Sequence, residues 1–174
     1  SSSVVAGDIS DFQIEGMSIG DSLLDYMSEE EIKYELKLGS FSITDKKFQR
    51  VWKFKGSFDI YEYVAAVVKR DDPKYIIYSV SGMLDIPNPK ACLKKQKEIV
   101  KELSSIFKDA KIKRGERSSA YDETGKSKVI GVSFKFETGS VTVVCYDFAA
   151  HMKNPSGLDV SIGNKEFRKW LSQY

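Results

Sequence analysis

The spacing of hydrophobic and polar residues changes along the chain, and those changes divide it into elements. Residues 1–10 are short of large apolar groups and read as a flexible lead-in. Phe12 and Ile14 then alternate with Gln13 and Glu15, a short extended entry. At Asp21 and Ser22 the pattern turns helical: either residue can cap a turn that buries Leu23, Leu24 and Met27, with Asp25 three residues beyond Ser22. Ser28-Glu29-Glu30-Glu31 repeats the device as a capping box with carboxylates in the first turn. It predicts a helix with Ile32 and Leu36 on one face that stops at Gly39.

The period then falls to two. Phe48, Arg50, Trp52 and Phe54 alternate with Gln49, Val51 and Lys53, which predicts a strand with one aromatic face. Residues 60–69 and 75–84 are two further β-rich runs, and the five residues between them, with Asp71-Asp72-Pro73, are too few for a crossover helix. These strands are therefore antiparallel neighbours. Asn88-Pro89 opens the strongest helix of the chain, whose stripe of Cys92, Gln96, Ile99, Leu103 and Ile106 is widened by Leu93, Val100 and Phe107. Its other face is solvated by Lys94, Lys95, Lys97 and Lys101.

Residues 108–117 form the most basic window and run into the polar segment 118–128, together read as a mobile charged loop. A second hairpin follows. Ile130, Val132, Phe134 and Phe136 mark its first strand, Glu137-Thr138-Gly139-Ser140 its turn, and Val141, Val143 and Cys145 one face of its return. Leu158, Val160 and Ile162 make a last strand, and Asn164 caps a closing helix that buries Phe167, Trp170, Leu171 and Tyr174. The order is helices, three strands, one long helix, three strands and a short helix. It predicts one α+β domain over residues 1–174, with antiparallel sheets packed by helices. It is also consistent with a duplicated helix-plus-three-strand unit, with halves 12–86 and 87–174.

Composition adds little to this picture but excludes several classes. With 41% hydrophobic and 30% charged residues the chain is ordinary globular material, and its formal charge of +2 implies no nucleic acid. No apolar run approaches the roughly 20 residues needed to span a bilayer. The start at Ser1 fits a mature chain after removal of a signal peptide, or simply the boundary of a piece. Cys92 on a helix stripe and Cys145 on a strand face both point into the core, where they either meet as a disulfide or remain two buried thiols.

Candidate chemistry begins with Gly20-Asp21-Ser22-Leu23, which resembles the opening signature of the GDSL-type esterases. That resemblance implies Ser22 as nucleophile and the single histidine, His151, as base, with Asp147 as its partner. In those enzymes the aspartate stands three residues before the histidine, whereas here the spacing is four, and their Gly-x-Asn-Asp block has no match. The two hairpins also disagree with their parallel sheet, so the capped turn is the preferred reading. One histidine and two cysteines supply no metal site at recognised spacing, and no glycine loop is built to cradle a phosphate, so no metal or cofactor is expected.

The run 14–32, Lys74-Tyr75-Ile76-Ile77-Tyr78-Ser79, the cysteine of the long helix and Val143-Val144-Cys145-Tyr146-Asp147 together resemble a family of small proteins of Pelagibacter-type marine alphaproteobacteria. The family carries no known activity. Its members look secreted, which implies a periplasmic or secreted location and a Cys92–Cys145 bridge. The order of elements is more loosely similar to BamE/SmpA-like and β-lactamase-inhibitor-like folds, which mediate protein contacts. The expectation is a non-enzymatic binding module for a protein or small molecule. Its candidate contact residues are the strand aromatics Trp52, Tyr61, Tyr63, Tyr75, Tyr78 and Tyr146.

Overall fold

A computed structural model describes residues 8–39, 41, 45–53 and 58–174. Most of the lead-in and Phe54 lie outside the described residues. The fold is α+β, and the described residues form seven antiparallel strands in one sheet with three helices packed on it. The helices are α1 (Glu29–Leu38), α2 (Pro89–Ile106) and α3 (Lys165–Leu171). The strands are β1 (Phe48–Lys53), β2 (Tyr63–Lys69), β3 (Ile77–Asp85), β4 (Lys111–Ser118), β5 (Lys128–Lys135), β6 (Gly139–Asp147) and β7 (Gly157–Asn164). Their spatial order is β1-β2-β3-β7-β6-β5-β4. The two halves of the chain therefore join through the β3–β7 ladder into a single sheet, contributing three and four strands.

Local chemistry sets the helix ends. Ser28 accepts from the Glu31 amide while Glu31 reaches back to the Ser28 amide, and Gly39 closes α1 in the left-handed region at φ 62°. Asn88 caps α2, with Pro89 in its first turn, where no amide hydrogen is needed. Ser22 caps only a 3-10 turn, Leu23–Asp25, that buries Leu23 and leaves Leu24 exposed. A second 3-10 turn, Ile9–Asp11, is capped by Asp8 and drives Ile9 into the core, so the end of the lead-in is structural.

Period two gives the sheet two faces. One carries Val51, Val64, Val80, Val132, Phe134, Val143, Val160 and Ile162 and is covered by α2, α1 and the 3-10 turns. Cys92 and Cys145 form a disulfide that ties α2 to β6. Beside it the buried Gln96 amide donates to the carbonyls of Ile130 and Val143, both at 2.9 Å, which offsets the cost of placing an amide under the sheet.

Two expectations are corrected. Residues 111–118 are not a loop but the edge strand β4, paired over its whole length with β5 and exposed at every position. No apolar alternation announces it, because its pairing rests on the ladder to β5, and its lysines and arginines blunt an open edge. The polar segment behind it is ordered around Asp122, which is buried and accepts from Ser127, Thr124 and the ring of His151. The hydrogen bonds from Ser127 and Thr124 hold the Asp122 carboxyl well below the usual carboxylate range. Tyr174 lies past the end of α3 and is exposed rather than buried, and its hydroxyl donates to Asp45.

Candidate binding surface

Among the described helices, only α3 packs on the second face of the sheet. Phe167 and Trp170 of α3 pack with Phe48, Val67 and Phe41 into a small second core at one end, held by the Trp170 indole donating to Asp45 at 2.8 Å. Beyond α3, none of the described helices lies over this face. Register places Trp52, Tyr63, Met83, Asp159, Val144 and Tyr146 together there, on β1, β2, β3, β7 and β6.

Arg168 marks the boundary between covered and open halves. Its side chain lies on Gly163, where a Cβ would meet Nε at 2.5 Å, and its terminal nitrogen donates to Ser161 Oγ at 3.1 Å and Ser161 O at 3.3 Å. Glycine and serine at these two positions of β7 make the trough in which the guanidinium rests. Two residues along the same strand face stands Asp159, half-buried, with Oδ1 enclosed and without a hydrogen-bond partner. Burial pushes this carboxyl up to about 6, although the charges of Arg50 and Arg168 pull the other way. Burial likewise pushes the Tyr146 phenol up to about 12, helped by Asp159. Arg50 lies on β1, yet its charge acts on both Asp159 and Tyr146, so its side chain reaches inward over the sheet. The same guanidinium sits 4.6 Å from the Phe41 ring and 5.4 Å from the Trp52 ring, which fixes it as a cation–π clamp.

The charge of the open face follows from the register. Arg50, Lys111, Lys113, Arg117 and Lys135 lie on this side of their strands and the Arg168 guanidinium rests on it, against the carboxylates Asp85 and Asp159. The face is therefore basic although the whole chain is nearly neutral. Aromatic side chains rim it: Tyr146 stacks on Phe148 with centroids 5.7 Å apart, and the Tyr63 hydroxyl donates to Asp85 at 3.3 Å.

Of the six aromatic residues singled out from sequence, Trp52, Tyr63 and Tyr146 share this face. Tyr78 packs edge-on to Phe48 near α3, under the Lys69 ammonium. Tyr61 packs against the helix-covered core, over Gly82, and Tyr75 is buried in it with its hydroxyl toward Glu29. Arg50, Asp159, Ser161 and Arg168 were not foreseen. The signal for two of them was present: Asp159 and Ser161 alternate with Leu158, Val160 and Ile162, which places both opposite the core face.

The residues of the esterase resemblance are not brought together. The Ser22 hydroxyl donates to the Lys74 carbonyl at 2.6 Å, and Ser22 bridges Ile76 just before β3. That end of β3 lies level with the start of β6, across β7, whereas His151 follows the far end of β6. Nine residues of strand separate the two ends, a span of roughly 25–30 Å. His151 contacts Asp122, not Asp147. Among the described residues no group of three or more metal-ligating side chains converges, and no helix is long and apolar enough to cross a membrane. Comparison with known protein families, curated proteins and solved structures returns no match to this chain.

Proposed function

We propose that this protein is a non-enzymatic interaction module acting outside the cytoplasm, and that its open sheet face docks an acidic surface of a protein partner in the cell envelope. The observation that carries the proposal is the half-face of the sheet over which none of the described helices lies. The basic strands β4 and β5 form one edge of it and Trp52 and Tyr63 the other, with Tyr146 and an unpartnered carboxylate oxygen of Asp159 between them.

Aromatic anchors within a charged rim are the usual composition of a protein contact surface. Asp159 also argues for use rather than mere solvation, because burial of an acid with one oxygen unpartnered costs stability that the charges of Arg50 and Arg168 offset only in part. The Cys92–Cys145 disulfide fits an oxidising compartment, in keeping with the secreted character of the family that the sequence resembles.

The test places a photo-crosslinking amino acid at Tyr63, at Tyr146 and, as a control on the solvent face of α2, at Lys94. The expected outcome is one acidic envelope protein crosslinked from Tyr63 and Tyr146 and absent from Lys94. No product from either position, equal capture from Lys94, or a nuclease-sensitive product would each overturn the reading.

A further inference from the structure

A separate groove of about 430 Å³ lies where α1 crosses the end of β1. Tyr26 and Met27 line it from the segment before α1, Glu30, Glu31, Tyr34 and Glu35 from α1, and Trp52 and Lys53 from β1. Helical spacing explains the convergence: Glu30 with Tyr34, and Glu31 with Glu35, are pairs four residues apart on one side of the helix. Lys33 is held away from this set by its ion pair with Glu29 at 3.0 Å.

We propose that this groove is a binding site for an organic ammonium cation, a compact quaternary or protonated amine. Three carboxylates outnumber the Lys53 ammonium and the Arg50 guanidinium that lies over the Trp52 ring, so the lining is net acidic and an anion would be disfavoured. A neutral apolar guest would desolvate carboxylates without pairing them. An alkylammonium satisfies both, because its charge is attracted by the aromatic faces and the carboxylates while its carbon surface is removed from water. The volume falls within the range of small-molecule sites, roughly 300–1,000 Å³.

Two features show a wall already suited to this guest. The Tyr26 ring is fixed by its hydroxyl, which donates to Asp21 and lies 3.1 Å from the Gly16 carbonyl, and it carries a cation of the protein's own: the Lys53 ammonium stands 5.8 Å from its centroid. The hydrogen bond to Asp21, with burial behind it, pushes the phenol up to about 12, so the ring stays neutral and electron-rich at any physiological pH. Glu31 is likewise pre-set, its carboxylate gripped by the Ser28 amide and hydroxyl. Tyr34 is 62% exposed on α1, an aromatic that the core does not use.

The site differs from the open sheet face in ligand class and in most of its residues, so the two proposals fail separately. The experiment titrates the intact chain with tetraethylammonium, with choline and with choline's neutral isostere, 3,3-dimethylbutan-1-ol, and reads backbone amide shifts. The two cations should move amides of residues 26–35 and 52–53 saturably, and the isostere should not. Loss of one cation–π wall in Tyr34→Ala should weaken choline roughly three- to fivefold, and Glu35→Gln should weaken it in the same direction. Tyr34 is exposed and Glu35 part-buried on α1, and the unperturbed amide spectrum of each variant checks its fold. No saturable shift with either cation, equal shifts with the isostere, or unchanged choline binding in both folded variants would overturn the proposal.

Discussion

Replacing Asp159 by asparagine isolates the physical cost of the open face. Burial raises this carboxyl from 3.8 to about 6, and each pH unit is equivalent to 1.36 kcal/mol, so the ionised folded form is disfavoured by roughly 3 kcal/mol. The sign follows from linkage: a group whose folded value lies above its unfolded value contributes stability in full below about pH 4. That stability is lost as pH rises through about 6. The asparagine isostere keeps the shape and removes the charge. At pH 7.5 it should therefore stabilise the protein by roughly 2–3 kcal/mol, which for a domain of this size is on the order of 5–10 °C in melting temperature. At pH 4 the two proteins should be close to equal. Urea unfolding at pH 4, 5, 6 and 7.5 measures the effect, and the wild-type minus variant difference should open between pH 4 and 6. An asparagine variant that gains nothing at pH 7.5, or that retains the wild-type slope in this window, would refute the assignment of Asp159 as an enclosed and uncompensated acid.

Two further outcomes follow from the packing. Opening the Cys92–Cys145 disulfide, which spans 53 residues, should cost about 4 kcal/mol in the chain-entropy model; thermal melts with and without reductant measure it, and unchanged melts would contradict it. Gly163→Ala puts a methyl where Arg168 Nε now lies at 2.5 Å, so it should push the guanidinium off Ser161 and cost roughly 1–3 kcal/mol in a urea titration. No loss of stability would show that the trough under Arg168 is not filled as described.

Much of this architecture is legible in the sequence. The caps Ser28, Asn88 and Asn164 mark elements by backbone chemistry alone and stand in the fold as read, and the two hairpins stand with shifted bounds: residues 70–76 link β2 to β3, and the second turn falls at 136–138. The missing strand β4 has no such mark. An edge strand needs only a neighbour to pair with, and Lys-Ile-Lys-Arg-Gly-Glu-Arg-Ser carries no buried alternation to reveal it. The candidate surface was half legible for a related reason. Alternation placed Trp52, Tyr63 and Tyr146 opposite the core, but it is blind to which elements cover the other face. Tyr61 and Tyr75 went to the helix-covered core instead. The cluster of Arg50, Asp159 and Arg168 depends on strand order, because β1, β7 and α3 meet only when β3 pairs with β7. Local periodicity carries no information on that pairing.

The measurement that bears most directly on the central claim reverses charge on the open face and compares it with the same change on the helical side. Lys113→Glu with Arg117→Glu alters two exposed positions of β4, and Lys94→Glu with Lys101→Glu alters two exposed positions of α2, each by the same net amount. With the envelope partner identified by crosslinking, the β4 pair should weaken its equilibrium affinity tenfold or more and flatten its salt dependence, while the α2 pair leaves both unchanged. Equal losses from the two pairs, or no loss from the β4 pair, would contradict the claim that the open sheet face is the working surface of this protein.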